Sequence, residues 1–230
     1  MRYLTLTLML CLGAVSVGAS RSADAADKKL EAGFVSIFDG KTLNGWEGNL
    51  KMFRVEDGAI VAGTQKERIP NNEFLCTKKR YGDFELRLQA KLEGKGKNAG
   101  IQFRSERIPN HHEVIGFQAD IGAMKGNELI WGALYDESRR RKFLVVGDQA
   151  ELKKVVKPNG WNDFIIRCEG PRIQIKVNGY LAVDYVEKDP DIADSGIIGV
   201  QIHSGEPAEA SYRKIRIKEL KPDSAKKKSS

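Results

Sequence analysis

Phe84-Glu85-Leu86-Arg87-Leu88-Gln89-Ala90-Lys91-Leu92 alternates apolar and polar side chains without a break. In an extended chain successive side chains point to opposite faces, so Phe84, Leu86, Leu88, Ala90 and Leu92 share one side, and Glu85, Arg87, Gln89 and Lys91 share the other. The pattern predicts an antiparallel strand with one buried face, and Tyr81-Gly82-Asp83 supplies the turn before it.

The same reading repeats outward from this strand. Upstream, Phe34 to Phe38 is a short apolar run ended by Asp39-Gly40. Phe53 to Glu56 and Ala59 to Gly63 flank Asp57-Gly58, a hairpin signal, and Glu73 to Thr77 is another short strand. Trp46 reads as a plug at one end of a core. Downstream come Gly100 to Arg104, Val114 to Ile121, Phe143 to Val146, Lys153 to Val156 and Trp161 to Cys168. Arg172 to Val177 and Tyr180 to Tyr185 are joined by Asn178-Gly179, the strongest hairpin dipeptide in the chain; Gly196 to His203 and Ala210 to Lys218 complete the set. No stretch sustains helical periodicity. About a dozen short strands with turns between them predict an all-β chain, a two-sheet antiparallel β-sandwich of the jelly-roll type.

A chain of 230 residues can bury a sizeable single core. Its net charge of +7 does not predict a nucleic-acid partner, because much of the excess is terminal: Lys218, Lys221, Lys226, Lys227 and Lys228 at one end, Arg2 and Arg21 at the other. A solvated basic tail over residues 221–230 is the plain reading, and weak attraction to an anionic surface is its alternative. Arg2 followed by the apolar run Leu4 to Val17 reads as a secretory leader, too short to span a bilayer. Val17-Gly18-Ala19 or Ala23-Asp24-Ala25 offers a cleavage site, and Leu10 before Cys11 is too large for a lipoprotein site. The expectation is a leader and spacer over residues 1–25, a domain over 33–220, and export to the periplasm or the extracellular space, with no transmembrane segment. An exported compartment permits a disulfide between Cys76 and Cys168, but both lie in strand-like runs where buried free cysteine is common. Nothing in the sequence bears on oligomeric state.

Most candidate functional groups lie between Ala99 and Phe143. Gln118 and Asp120 are two apart on one strand and share a face, as do Gln201 and His203 on a later one. Arg104 ends the strand before Gln118. Trp131, Tyr135, Asp136, Glu137, Arg139 and Arg140 crowd the following loop. Its aromatics suit either stacking on a sugar ring or plugging the core. Its acids and arginines suit either a binding site or a surface ion cluster. Three consecutive arginines, 139 to 141, cannot all face one ligand. His111-His112-Glu113 is polar enough for a metal, but consecutive residues of a strand do not converge.

Phe38-Asp39-Gly40-Lys41-Thr42-Leu43-Asn44-Gly45-Trp46 resembles the opening of a bacterial family known as the 3-keto-disaccharide hydrolase domain, formerly a domain of unknown function. The likeness continues through Tyr81-Gly82-Asp83-Phe84-Glu85-Leu86, Asn98-Ala99-Gly100-Ile101-Gln102-Phe103-Arg104, Trp161-Asn162, Val177-Asn178-Gly179, Gly199-Val200-Gln201-Ile202-His203 and Tyr212-Arg213-Lys214-Ile215-Arg216-Ile217. The resemblance implies a concanavalin-like sandwich with a sugar site on its concave sheet, and activity on glycosides oxidised at C3. Two departures stand out. Many members carry G-Y-E-x-Q-x-x-D where this chain has Gly116-Phe117-Gln118-Ala119-Asp120, which puts Gln118 at the Glu position and Asp120 at the Gln position. Leu134-Tyr135-Asp136-Glu137-Ser138-Arg139-Arg140 also differs from the commoner ending.

A retaining glycosidase needs two carboxylates flanking the scissile bond. Laminarinase-type enzymes carry them on one strand as Glu-x-Asp-x-x-Glu, and no such pair stands here. A 3-keto sugar relaxes the requirement, because the ketone acidifies the proton on C2 and the group at C1 can leave by elimination before water adds back. That chemistry needs a base, donors or a cation at the ketone oxygen, and an acid at the leaving oxygen. Asp120 or His203 suits the base. Arg104, Arg139 and Arg140 suit the enolate. Glu137 or Asp136 suits an acid or a metal ligand. A bound divalent metal would serve the electrophilic role too, though no short-spaced motif identifies a site for one. Gln118, Gln201, Trp131 and Tyr135 remain as substrate contacts. The expected function is cleavage of 3-keto-glycosides, by hydrolysis or by elimination and hydration, with a small-molecule carbohydrate as partner. A non-catalytic carbohydrate-binding module is the alternative, and an envelope interaction domain using the basic tail is the third reading.

Overall fold

The structure, a computed structural model, describes residues 30–221, and the predicted leader, its cleavage sites and the basic tail after Lys221 lie outside the described residues. The strands in chain order are β1 (Val35–Ser36), β2 (Trp46–Glu47), β3 (Phe53–Glu56), β4 (Ala59–Thr64), β5 (Glu73–Tyr81), β6 (Phe84–Gly94), β7 (Asn98–Arg107), β8 (Val114–Gly122), β9 (Leu134–Glu137) and β10 (Phe143–Val145). A short helix, α1 (Gln149–Val155), precedes β11 (Asn162–Glu169), β12 (Arg172–Val177), β13 (Tyr180–Val186), β14 (Gly196–Ile202) and β15 (Ala208–Glu219). One sheet runs β13-β12-β11-β6-β15-β4-β3, with β1 also on β15; the other runs β10-β9-β8-β7-β14-β5-β2. All pairings are antiparallel, as a two-sheet sandwich predicts.

β6 lies at the middle of the first sheet, and its burial alternates as its sequence does. Phe84, Leu86, Leu88 and Ala90 enter the core. On the outer face Glu85 accepts from Arg87 and Arg167, and Gln89 donates to Asp163 and accepts from Arg213. Asn178-Gly179 turns β12 into β13 with both residues at positive φ, the geometry that favours Asn-Gly there. Trp46 is buried and its indole N–H donates to the Ile37 carbonyl at 2.8 Å, closing one end of the core.

Two expected strands differ. Only Val35 and Ser36 of the Phe34–Phe38 run pair in a ladder. Lys153–Val156 is not a strand: it ends α1, which Asp148 caps by accepting from the Glu151 N–H. With two turns and one buried residue, Leu152, such a helix leaves no period to read. Cys76 and Cys168 are free, buried, and on different sheets (β5 and β11), and burial pushes both thiols up to about 12.

The second sheet departs from simple alternation. Its core face carries Ile101, Phe103, Ala119, Ile121, Val200 and Ile202, yet Gln102, Gln118, Asp120 and Gln201 on the opposite face are buried as well. The end of β7 and the segment after it fold back over that face: Arg107 donates to the Phe74 carbonyl at 3.1 Å, and the His112 ring lies 2.9 Å from the Asn72 carbonyl. Across the core from β15, the fully buried Tyr212 places its hydroxyl 2.6 Å from the Gln201 carbonyl and 3.1 Å from that of Gly100.

Candidate active site

The register of β14, β7, β8 and β9 sets the order of groups along the covered face. Gly100 lies opposite both Gln201 and Asp120. One row further on, Gln102 faces Gln118, which faces Tyr135; the next row pairs Gly116 with Glu137. In the other direction Asn98 faces Gly122, and the His203 N–H donates to the Asn98 carbonyl. The sequence of side chains is therefore His203 and Asn98, then Asp120, then Gln118 and Tyr135, then Glu137. A cavity of about 300 Å³ opens over this row, lined by Asp120, Gln118, Tyr135, Glu137 and His203.

An amide chain fixes the middle of the row. Ser105 donates to the side-chain amide oxygen of Gln102 at 2.7 Å, the Gln102 amide N–H to the side-chain amide oxygen of Gln118 at 2.8 Å, and the Gln118 amide N–H to a carboxylate oxygen of Asp120. Gly100 makes room for it, since a Cβ there would sit 2.4 Å from the Gln118 amide carbon. Asp120 is buried, and burial drives its carboxyl well above the usual range; the Gln118 hydrogen bond opposes this and the charge of Glu137 adds to it. Glu137 is raised too, first by burial and then by Glu113, while the Ser138 N–H and hydroxyl pull it down. Tyr135 is raised by burial and by both carboxylates. His203 holds Nδ1 2.7 Å from the Ser204 carbonyl, an acceptor only, so Nδ1 carries a proton and Nε2 is the other ring nitrogen.

Five expected site residues lie elsewhere. Arg104 sits at a bulge in β7 with φ of 46°, buried, donating to Asp83, Gly82 and Gly170; it clamps two turns together beside a separate cavity. Trp131 is core, 6.1 Å from the Phe164 ring. Asp136 is wholly buried, because it alternates with Tyr135 and Glu137 and so faces away from the cavity. Arg139 and Arg140 both donate to it, Arg139 lies over the Phe117 ring, and Arg140 continues to Glu187, whose carboxyl burial would raise but Arg140 holds down at about 2. This is a structural ion cluster. Gln201 has the expected facing but is buried beside the cavity, with neither amide atom hydrogen-bonded among the described residues.

Asn72, Asn98 and Gln102 were not anticipated. Asn98 and Asn72 line the cavity, and the Asn98 side-chain oxygen is buried without a partner among the described residues. The signal was the period of two: Asn98, Gly100 and Gln102 share a face. Arg141, not Arg139 or Arg140, is the arginine whose charge acts on Glu137 and Tyr135. Among the described residues no three His, Cys, Asp or Glu side chains group closely enough to hold a metal ion.

This row of groups lies in a stretch with known relatives. Residues 33–218 match the model of a 3-keto-alpha-glucoside-1,2-lyase-like domain. A 3-keto-disaccharide hydrolase of Bacteroides thetaiotaomicron is 32% identical over 108 residues, which span 41% of this chain and 37% of that relative's length. A Parabacteroides distasonis protein described as a glycosyl hydrolase superposes with a TM-score of 0.60 at 17% identity, over 82% of this chain and 94% of its own. A Bacillus licheniformis β-glucanase gives 0.53 at 11% identity, over 81% and 97%. The last two share the sandwich fold.

Proposed function

The chain belongs to the family of 3-keto-alpha-glucoside-1,2-lyase-like domains, and from that premise we propose that it cleaves 3-keto-glycosides in the cavity between His203 and Glu137, by elimination followed by hydration. The observation that carries this reading is the order of groups along the row. His203, Asp120 and the Tyr135–Glu137 pair follow one another as C1, C2 and C3 do in the sugar ring.

In the form that reacts Asp120 is ionised and Glu137 protonated, and Asp120 takes the proton from C2. Its raised affinity for a proton makes it a stronger base than an ordinary carboxylate. The electrons move toward the C3 ketone oxygen, where the Tyr135 hydroxyl and protonated Glu137 donate; burial favours the protonated form of both. The arginines expected for this task are occupied in the ion cluster and the clamp. The enolate then expels the group at C1, whose oxygen takes a proton from Nε2 of His203 in its imidazolium form. Neutral His203 next removes a proton from water, which adds at C1, and Asp120, whose proton exchanges with solvent once the alcohol has left, protonates C2. The sum is hydrolysis to the 3-keto sugar and the free alcohol.

The test is incubation with 3-keto-trehalose and a 3-keto-aryl glucoside in deuterated water, read by mass spectrometry. Release with one deuterium at C2 is expected. Release without deuterium would replace elimination by direct displacement, and binding without release would leave a carbohydrate-binding module. We also propose that the protein acts after export, on the strength of the Leu4–Val17 run; finding only the unprocessed chain, in the cytoplasm, would overturn that.

A further inference from the structure

A second cavity, of about 320 Å³, opens beside the first and shares His203, Asn98 and Met124 with it, so the two form one groove. Its character is different. Lys95, Lys97 and Lys125 line it and are exposed. Among the described residues none of the three is ion-paired, and Lys97 donates only to the amide oxygen of Asn127, at 2.9 Å. The one carboxylate in this lining, Glu206, is taken by Arg68. The groove thus runs from a carboxylate end at Asp120 and Glu137 to an uncompensated cationic end.

The cationic end is built on a laced frame. The Lys95 and Gly96 N–H groups donate to the Pro207 carbonyl at 2.8 and 3.1 Å, and the Ala123 N–H to the Lys97 carbonyl at 2.9 Å. Gly96 and Gly122 permit this: a Cβ would meet the Glu206 carbonyl oxygen at 2.5 Å in one case and that of Lys97 at 2.0 Å in the other. Three loops are held at backbone contact, and the lysines of two of them border one opening.

We propose that this end of the groove is the leaving-group subsite and that it selects leaving groups bearing an anionic substituent, a carboxylate or a sulfate. The inference rests on the reading of the first cavity as the site of the keto-sugar ring. His203, at the junction, then stands at the bond that breaks, and the leaving group extends among the lysines. Asp120, ionised as the base, repels an anion from the far end, so the charge gradient also sets the direction in which the substrate lies.

The test compares two ligands of nearly equal shape, a 4-carboxyphenyl 3-keto-α-glucoside and its 4-carboxamidophenyl counterpart, by calorimetric titration and by release kinetics. At low salt the carboxylate should bind about tenfold more tightly, about 1.4 kcal/mol. Its advantage should shrink toward unity at about 0.5 M salt, and also in the Lys95→Ala/Lys125→Ala double variant. Equal affinity for the two ligands in the unaltered protein overturns the proposal, as does an advantage that the double variant retains. Release from both ligands at equal affinity would keep the reaction and remove the anion site. Retained preference without release would keep the anion site and remove the reaction.

Discussion

β6 and β8 each turn every second side chain away from the core, and the outcomes are opposite. On β6 those positions hold Glu85, Arg87, Gln89 and Lys91, long side chains that form ion pairs and, at Gln89, hydrogen bonds at the solvent face. On β8 they hold Gly116, Gln118, Asp120 and Gly122, and there the whole strand is buried apart from Ile115. Amides and glycines let a loop close over the face, because an amide chain satisfies itself where a lysine stem must reach solvent. The one carboxylate that β8 carries under such a cover, Asp120, is driven well above its ordinary range. A polar face therefore marks solvent or a site according to which polar residues it carries.

The largest effect that would break this contrast is on turnover. Asp120→Asn keeps an acceptor for Gln118 and removes the base, so release from a 3-keto-aryl glucoside should fall about a thousandfold. A fall of less than tenfold would move the base elsewhere. Next is packing. Gly100→Ala, whose Cβ meets the Gln118 side chain, should cost about 1–3 kcal/mol in chemical denaturation, whereas Gly82→Ala, with nothing within 4 Å of its Cβ, should cost far less. Equal losses would show that the amide chain yields freely.

The third effect is a pH slope. Asp120 holds a proton in the folded state that the unfolded chain has released above its ordinary 3.8. The folded protein then binds more protons, so this group subtracts stability as pH rises from about 4 toward its folded value. The Tm of Asp120→Asn minus that of the unaltered protein should start near zero in acid and widen in the positive direction with pH; a flat difference would show that the carboxyl titrates normally. The smallest effect belongs to the solvated face: Glu85→Gln should change stability by no more than about 1 kcal/mol and leave turnover untouched.

The scaffold was legible wherever burial follows a strict period, as in β6 and in the β12–β13 hairpin. The facing of Gln118 and Asp120 was legible for the same reason. The stretch from Trp131 to Arg140 was not, because it was read as a loop in which any side chain can face a ligand. Leu134–Glu137 is a strand, so Tyr135 and Glu137 enter the cavity while Asp136 between them turns inward. Ser138 and Arg141 at positive φ then fold the next residues back toward Asp136, a path set by backbone geometry that composition does not reveal. Arg104 was lost the same way, at a bulge. The cationic end is not visible in the net charge, because terminal lysines account for much of the excess and Lys95, Lys97 and Lys125 converge only after folding.

Tyr212 gives the molecule a timetable. It belongs to the last described strand in chain order, and its hydroxyl reaches through the core to the two carbonyls beneath the Asp120 row. A growing chain will have made every cavity residue, His203 included, before that tyrosine emerges. The floor of the site is therefore braced only after the last cavity residue has been made, and a nascent chain stalled before residue 208 should carry all the chemistry and none of the activity.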